Sequence, residues 1–273
     1  MSQTFSQQKF DALRTEISAA IVATEGHLSD HEVDFLTLAS AVPSATGEVL
    51  EIGSFKGKST IVLAKSAKHA GDAHTGLWAC DPFTSPTVTC PDLEEDSSFS
   101  DFERNLRSAD VTADVRVFQD YSDQLALTWN TSLRLLWIDG DHTFAGAKKD
   151  FDNFSPWLVD GAIIAFHDTL HSHDGPCRVF ANDILLSPHY GACGFCGSIA
   201  WARYSSKPIT DETIKQRKLQ LYRQLTHLVA LTALDQDIAG WRKVLYRWSR
   251  TWIPHGPMSL PSWKKWLAME VSS

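Results

Sequence analysis

The sequence lacks any apolar run approaching the roughly eighteen residues that a membrane-spanning helix requires. Its N-terminus is polar and has no apolar segment of the kind that marks a secretory signal. Cysteine is scarce, with five residues (Cys80, Cys90, Cys177, Cys193 and Cys196) in a chain of 273. So few in a chain this long argue against a disulfide framework and point to a reducing cytoplasm. Positive charge is in short supply too: 25 Lys and Arg stand against 33 Asp and Glu, a formal net charge of -8. That balance argues against a general nucleic-acid-binding surface. Cys193-Gly194-Phe195-Cys196 has C-x-x-C spacing, but no second pair completes a zinc site, and the motif falls far from the first βαβ unit. Ordinary buried or loop cysteines are expected there.

What is present is an alternation of strand and helix signals. Strands are expected over 48–53, 76–81, 114–118, 133–138, 161–167, 189–194 and 197–204. Helices are expected at about 57–70, 99–109, 122–128, 143–157 and 177–187. Such alternation implies right-handed crossovers and an α/β fold: a Rossmann-like, seven-stranded, mainly parallel sheet with helices on both faces. Before it, Phe10, Leu13, Ile17 and Ile21, then Val33, Phe35, Leu36 and Leu38, predict two helices broken near Glu25-Gly26-His27. After Pro208 the composition changes. A helix is expected over 211–235, and 241–266 holds five of the ten tryptophans and six Lys or Arg with no acidic residue. The chain thus divides into an N-terminal helical segment (1–44), a central domain (45–206) and a C-terminal helical extension (207–273). For 241–266 two readings stand: contact with a membrane surface or anionic glycolipid, or packing against the domain or the partner in a homo-oligomer.

In a sheet of this kind ligands bind beyond the carboxyl ends of the strands, at the switch in strand order. The first strand ends in Glu51-Ile52-Gly53-Ser54-Phe55-Lys56-Gly57-Lys58-Ser59, a tight turn that leads into a helix N-terminus and brings backbone N–H groups close to a ligand. Gly57-Lys58-Ser59 ends like a Walker A motif, so a nucleotide hydrolase or kinase is one reading. Only three residues separate Gly53 from Gly57, however, where that motif needs four. Glu51 also has no task in such a loop.

Asp81 follows the second strand, where a carboxylate can accept both ribose hydroxyls of a nucleoside. Tyr121 and Ser122 follow the third, where a polar side chain can read an adenine edge. The fourth strand ends in Asp139-Gly140-Asp141-His142 and the fifth in His167-Asp168. So many ionisable groups beside apolar strands need compensation, and a divalent cation held by Asp139, His167 and Asp168 supplies it. Hard oxygen donors favour Mg²⁺ or Mn²⁺, and the histidine shifts the balance toward Mn²⁺ or softer ions.

With these motifs in view, the stretch 45–204 resembles a class I S-adenosylmethionine-dependent methyltransferase. It is most similar to the group of the macrocin and mycinamicin sugar O-methyltransferases and, more distantly, to catechol and caffeoyl-CoA O-methyltransferases. The resemblance implies S-adenosyl-L-methionine as cofactor, bound by Glu51, Gly53, Ser54, Gly57, Ser59, Asp81, Tyr121, Ser122 and Asp139. It implies a cation at Asp139, His167 and Asp168, although the relatives carry Asp or Glu where this chain has His167. It further implies His142 as the base; the polar loop after the fifth strand offers His171 or His173 as alternatives. The acceptor would be a hydroxyl of a small molecule, a sugar or a glycan. A non-catalytic scaffold with the same fold is the remaining alternative.

Overall fold

The structure is a computed structural model and describes residues 5–84, 98–171, 173–232 and 240–269. Seven strands form one sheet: β1 (Gly47–Ile52), β2 (His74–Cys80), β3 (Arg116–Phe118), β4 (Leu133–Ile138), β5 (Leu158–Phe166), β6 (Tyr190–Cys196) and β7 (Ile199–Tyr204). Their order is β3-β2-β1-β4-β5-β7-β6. Every pairing from β3 to β5 is parallel, and β7 runs antiparallel between β5 and β6. The expected seven-stranded sheet is present, and its order reverses between β1 and β4. That is where an open sheet of this type places its ligand.

Strands β1 and β4 are buried along their whole length, as sheets covered on both faces require. Successive residues point to opposite faces, so each strand feeds two cores. Val49, Leu135 and Trp137 join one core. Leu50, Ile52, Leu136 and Ile138 join the other. The first face is covered by α1 (Gln7–Ile21), α2 (Asp30–Ala41), α3 (Lys58–Ala67) and α4 (Ser98–Ser108). The second is covered by α5 (Ser122–Ala126), α6 (Phe144–Phe154), α7 (Asp174–Val179) with its π-helical continuation Phe180–Leu185, and α8 (Glu212–Thr232). The same alternation settles the C-x-x-C motif. Cys193 and Cys196 lie three apart on β6 and so sit in opposite cores, and the four described cysteines form no disulfide.

The C-terminal extension is split between the two faces of the sheet. α9 (Gly240–Arg250) lies on the second face, and α10 (Leu260–Ala268) crosses to the first. Ser259 caps α10, its hydroxyl accepting from the Ser262 N–H at 3.3 Å. Trp263 is fully buried. Its ring packs edge-on against Phe35 at 5.8 Å and tilts against Trp201 at 5.5 Å, while its indole N–H donates to the Val42 carbonyl at 2.9 Å. α10 is therefore built into the core beside α2 and β7. Trp263→Ala should lower the free energy of unfolding by about 3–5 kcal/mol in a urea titration. A loss below about 1 kcal/mol, the level of a surface change, would mean that α10 is dispensable to the core.

Candidate active site

The glycine turn after β1 is held by hydrogen bonds from both sides. Asp139 at the end of β4 donates its backbone N–H to the Ile52 carbonyl at 2.8 Å. This brings the two strand ends so close that a β-carbon on Gly53 would stand 2.2 Å from the Asp139 carbonyl oxygen. Gly53 also has φ 86°, so both the space and the conformation require glycine. Gly57 closes the turn in the left-handed region (φ 87°) and begins α3.

The carboxylate of Asp81 organises the same turn. One oxygen accepts the N–H groups of Ser54 and Phe55, each at 2.8 Å, and the other accepts the Phe83 N–H at 2.6 Å. Burial pushes this carboxyl above its usual range, although the three N–H bonds pull the other way. Three bonds leave capacity on the oxygens for a further donor. Glu51 lies directly beneath. It is fully buried and accepts from the hydroxyls of Ser54 at 3.0 Å and Thr60. Burial pushes it up to about 7 against the hydroxyls of Ser59, Thr60 and Ser54, and its Oε1 has no hydrogen-bond partner.

Beyond the turn opens a cleft of about 580 Å³. Of the residues expected around a cofactor, Gly53, Ser54, Ser59, Asp81, Tyr121, Ser122 and Asp139 line it, and Glu51 and Gly57 do not. Those two shape its wall from behind. His142, His167 and Asp168 line its far end.

At that end Asp139, His142, His167 and Asp168 gather, each offering a donor atom within 4.8 Å of the others. His167 Nδ1 lies 2.9 Å from Asp139 Oδ1 and 3.5 Å from Asp168 Oδ1. His142 Nε2 lies 3.6 Å from Asp139 Oδ1 and 3.4 Å from Asp168 Oδ2. Asp168 is held at φ 50°, a region that non-glycine residues rarely occupy. On the far side of His167, Nε2 faces Glu32 Oε2 at 3.8 Å, and the other Glu32 oxygen accepts the Ser198 N–H at 2.7 Å.

The electrostatics of this group are reciprocal. Burial alone would lower both imidazoles, but Asp139, with Asp168 and, at His167, Glu32, outweighs it and raises them, His167 by far the more. Burial alone would raise Asp139, and His167 and His142 hold it low instead. The expected charge compensation therefore has an internal route, protonation of the histidines. A cation is a second route, and the residues present fit one. Two carboxylates and two imidazoles converge, and both His142 ring nitrogens are buried without a hydrogen bond. His173, one of the alternative bases, stacks on His142 with ring centroids 4.9 Å apart. Burial and the neighbouring His142 lower it. His171 is more exposed, with Nε2 3.9 Å from Asp168 Oδ1.

Several cleft residues carried no signal in the sequence. Asp150 on α6 is buried, receives the Ser122 hydroxyl, and is pushed by burial up to about 6. The link between α1 and α2 forms one wall: Lys56 pairs with Glu25 at 2.7 Å, and Lys58 donates to the Gly26 carbonyl at 3.1 Å. The lysine that gave the turn its Walker-like ending is thus spent on the chain's own backbone. The lining as a whole is acidic. Among the described lining residues, Glu25, Asp81, Asp139, Asp141, Asp150 and Asp168 stand against two lysines, Lys58 and Lys149, and three histidines, His27, His142 and His167, a poor setting for a triphosphate and a better one for a cationic ligand.

Comparison with known proteins agrees. Residues 50–169 match the family model of a methyltransferase domain. Among solved structures, cofactor-bound Rv0187 from MTB is 18% identical with a TM-score of 0.51, over 76% of this chain and 94% of that one. An O-methyltransferase from Bacillus cereus in complex with SAH is 16% identical with a TM-score of 0.50, over 72% and 91% of the two chains. The O-methyltransferase TomG from Streptomyces achromogenes, in complex with SAM, is 14% identical with a TM-score of 0.51, over 74% and 92%. The fold is that of the class I methyltransferases. Within that fold, residues 50–169 are the part that matches a methyltransferase domain.

The position of Glu51 has a consequence for stability. A buried acid with a raised pKa stabilises the fold while protonated and loses that contribution as pH rises through the window from about 4.5 to about 7. The difference amounts to roughly 3 kcal/mol. Glu51→Gln should therefore gain stability relative to wild type between pH 5 and 8 in paired urea titrations. A constant difference across that range would show that Glu51 is ionised throughout.

Proposed function

We propose that this protein is an S-adenosylmethionine-dependent O-methyltransferase whose acceptor is a hydroxyl of a small molecule or sugar. The observation that carries the reading is the continuity of one acidic cleft from the glycine turn to the Asp139, His142, His167 and Asp168 cluster. In this reading the turn N–H groups, Asp81, Tyr121 and Ser122 hold the nucleoside end, and the sulfonium lies toward the cluster. The two solved relatives described as O-methyltransferases bear SAH and SAM, which supports the choice of cofactor.

In the transfer, an acceptor oxygen forms a bond to the methyl carbon as the carbon–sulfur bond breaks. Sulfur keeps the electron pair and leaves as the thioether, and the hydroxyl proton passes to a base. In this reading His142, with Nε2 3.6 Å from Asp139 and 3.4 Å from Asp168, takes that proton. A simple alcohol loses its proton reluctantly at neutral pH, so orientation and proton removal dominate what the protein contributes. Asp139, His167 and Asp168 are the residues that would hold a divalent cation, which when bound lowers the pKa of a coordinated hydroxyl and offsets the carboxylate charge. Glu32 places a carboxylate 3.8 Å from His167 Nε2 and favours the charged form of that ring. Asp150 beside Ser122 offers an acceptor for a donor such as an exocyclic amine.

Calorimetric titration should show micromolar binding of S-adenosylhomocysteine and none of ATP. ATP binding without the thioether would restore the nucleotide-hydrolase reading, and binding of neither would favour a scaffold. Once an acceptor is found, His142→Ala should lower turnover by about two to four orders of magnitude, the span of a general base, with thioether affinity kept. Loss of that affinity would assign His142 to the cofactor instead. Asp139→Ala should remove activity and any stimulation by Mg²⁺ or Mn²⁺ together, and an active variant would overturn the cation assignment.

A further inference from the structure

Of the described helices, none is long and apolar enough to cross a membrane, yet α9 presents an unusual surface. Trp241 is 72% exposed, Val244 69% and Trp248 54%. Their spacing of three and four residues puts them on one stripe of the helix. Trp252, just past the helix end, continues the stripe, its ring 4.4 Å from that of Trp248. Lys243 and Arg247 are exposed on the same helix, and residues 240–269 contain no acidic side chain. The opposite face anchors the helix: Tyr246 and Ser249 are buried, and Arg242 donates to the Leu231 carbonyl at 2.5 Å.

Through Trp252 this stripe adjoins a groove of about 750 Å³ between α8 and α10. Arg217, Arg223, His227, Gln224, Trp252 and Trp266 line it, and no described lining residue is acidic. The Arg217 guanidinium lies over the Trp266 ring at 4.5 Å. Gln224 donates its amide N–H to the Trp252 carbonyl at 2.9 Å, while its amide oxygen is buried without a partner.

We propose that α9 and this groove form a docking face for an anionic lipid surface. Indole rings and the stems of basic side chains suit the boundary between headgroups and acyl chains, and clustered Lys and Arg are drawn to anionic headgroups. In a protein of net charge -8, no such attraction arises from the chain as a whole, so this face would set the orientation of docking. A second copy is the weaker occupant. A two-fold dimer through this patch would set Lys243 and Arg247 of one copy against the same side chains of the other.

The face is also tied to the candidate active site. The Tyr246 hydroxyl donates to the carbonyl of His171, whose imidazole is 3.9 Å from Asp168. Docking at α9 is thus linked, through a buried side chain on the helix's anchored face, to the loop that carries His171.

The test is flotation of the full chain with vesicles of mixed phosphatidylglycerol and phosphatidylcholine, with phosphatidylcholine alone as control. The protein should float with the mixed vesicles, less with the control, and less again in high salt. Trp241→Ala/Trp248→Ala and Lys243→Glu/Arg247→Glu should each reduce partition about tenfold or more, with S-adenosylhomocysteine binding unchanged. No flotation with the mixed vesicles, or equal flotation of wild type and both variants, would overturn the proposal. So would a wild-type dimer, seen by sedimentation, that the tryptophan variant converts to monomer without any vesicle binding. Failure to bind the thioether would sink the methyl-transfer reading and leave the vesicle result standing.

Discussion

The site depends on how the fold holds two carboxylates, Asp139 and Asp168, among buried imidazoles at the ends of its central strands. A carboxylate withdrawn from water is tolerated only with a partner. Here the partner nearest Asp139 is His167, at 2.9 Å, and behind it stands Glu32. Glu32 belongs to α2, where it also accepts the Ser29 N–H at the helix start at 2.8 Å. One residue thus fixes the beginning of a helix, bonds Ser198 in the β6–β7 turn, and biases the His167 imidazole in the cluster. The N-terminal helices are therefore more than a cover for the sheet. They supply a charge without which the His167 ring would have no carboxylate on its Nε2 side.

The glycine turn follows a similar logic with opposite chemistry. Its N–H groups are turned inward onto Asp81 and its hydroxyls onto Glu51, so the loop is preorganised before any ligand arrives. Preorganisation lowers what binding must spend on ordering the loop. Glu51 is the strained member: a fully buried acid at about 7, with one oxygen unpartnered. It shapes the wall that the cofactor meets without facing the cleft itself. The close approach of Gly53 to Asp139 then couples the two halves, because the end of β1 and the end of β4 cannot move apart without breaking the Asp139 N–H bond to Ile52.

Much of this was legible in the sequence, for physical reasons. Strands buried on both faces appear as continuous apolar runs, and the residue after each run marks a strand end. Asp81, Asp139 and His167 could be placed that way to within a residue. Spacing also distinguished the turn from a Walker loop, and the structure adds that Lys58 is committed to Gly26. Residues that reach the cleft from the sides of helices were not legible. Asp150 lies inside α6 among other charged residues, and nothing local separates it from a solvated position. Glu32 reads as an ordinary capping-box acid, since its second role depends on β5 and β7 arriving beside it. The division of 241–266 into two helices on opposite faces was also hidden, because Trp263 and Trp248 look alike until tertiary packing buries one and exposes the other.

That division separates charge across the molecule. The cleft is lined by six acids, two lysines and three histidines, while the α8–α10 groove and α9 are basic and aromatic. Two such fields on one small protein are not neutral toward each other. An anionic surface met by the basic face is repelled by the cleft, so it would hold the molecule at one orientation and stay out of the site itself. A cation or sulfonium experiences the reverse. The buried Tyr246 hydroxyl, bonded to the His171 carbonyl, connects α9 to the loop that also carries His173. Segregated charge of this kind gives the two faces opposite ligand preferences.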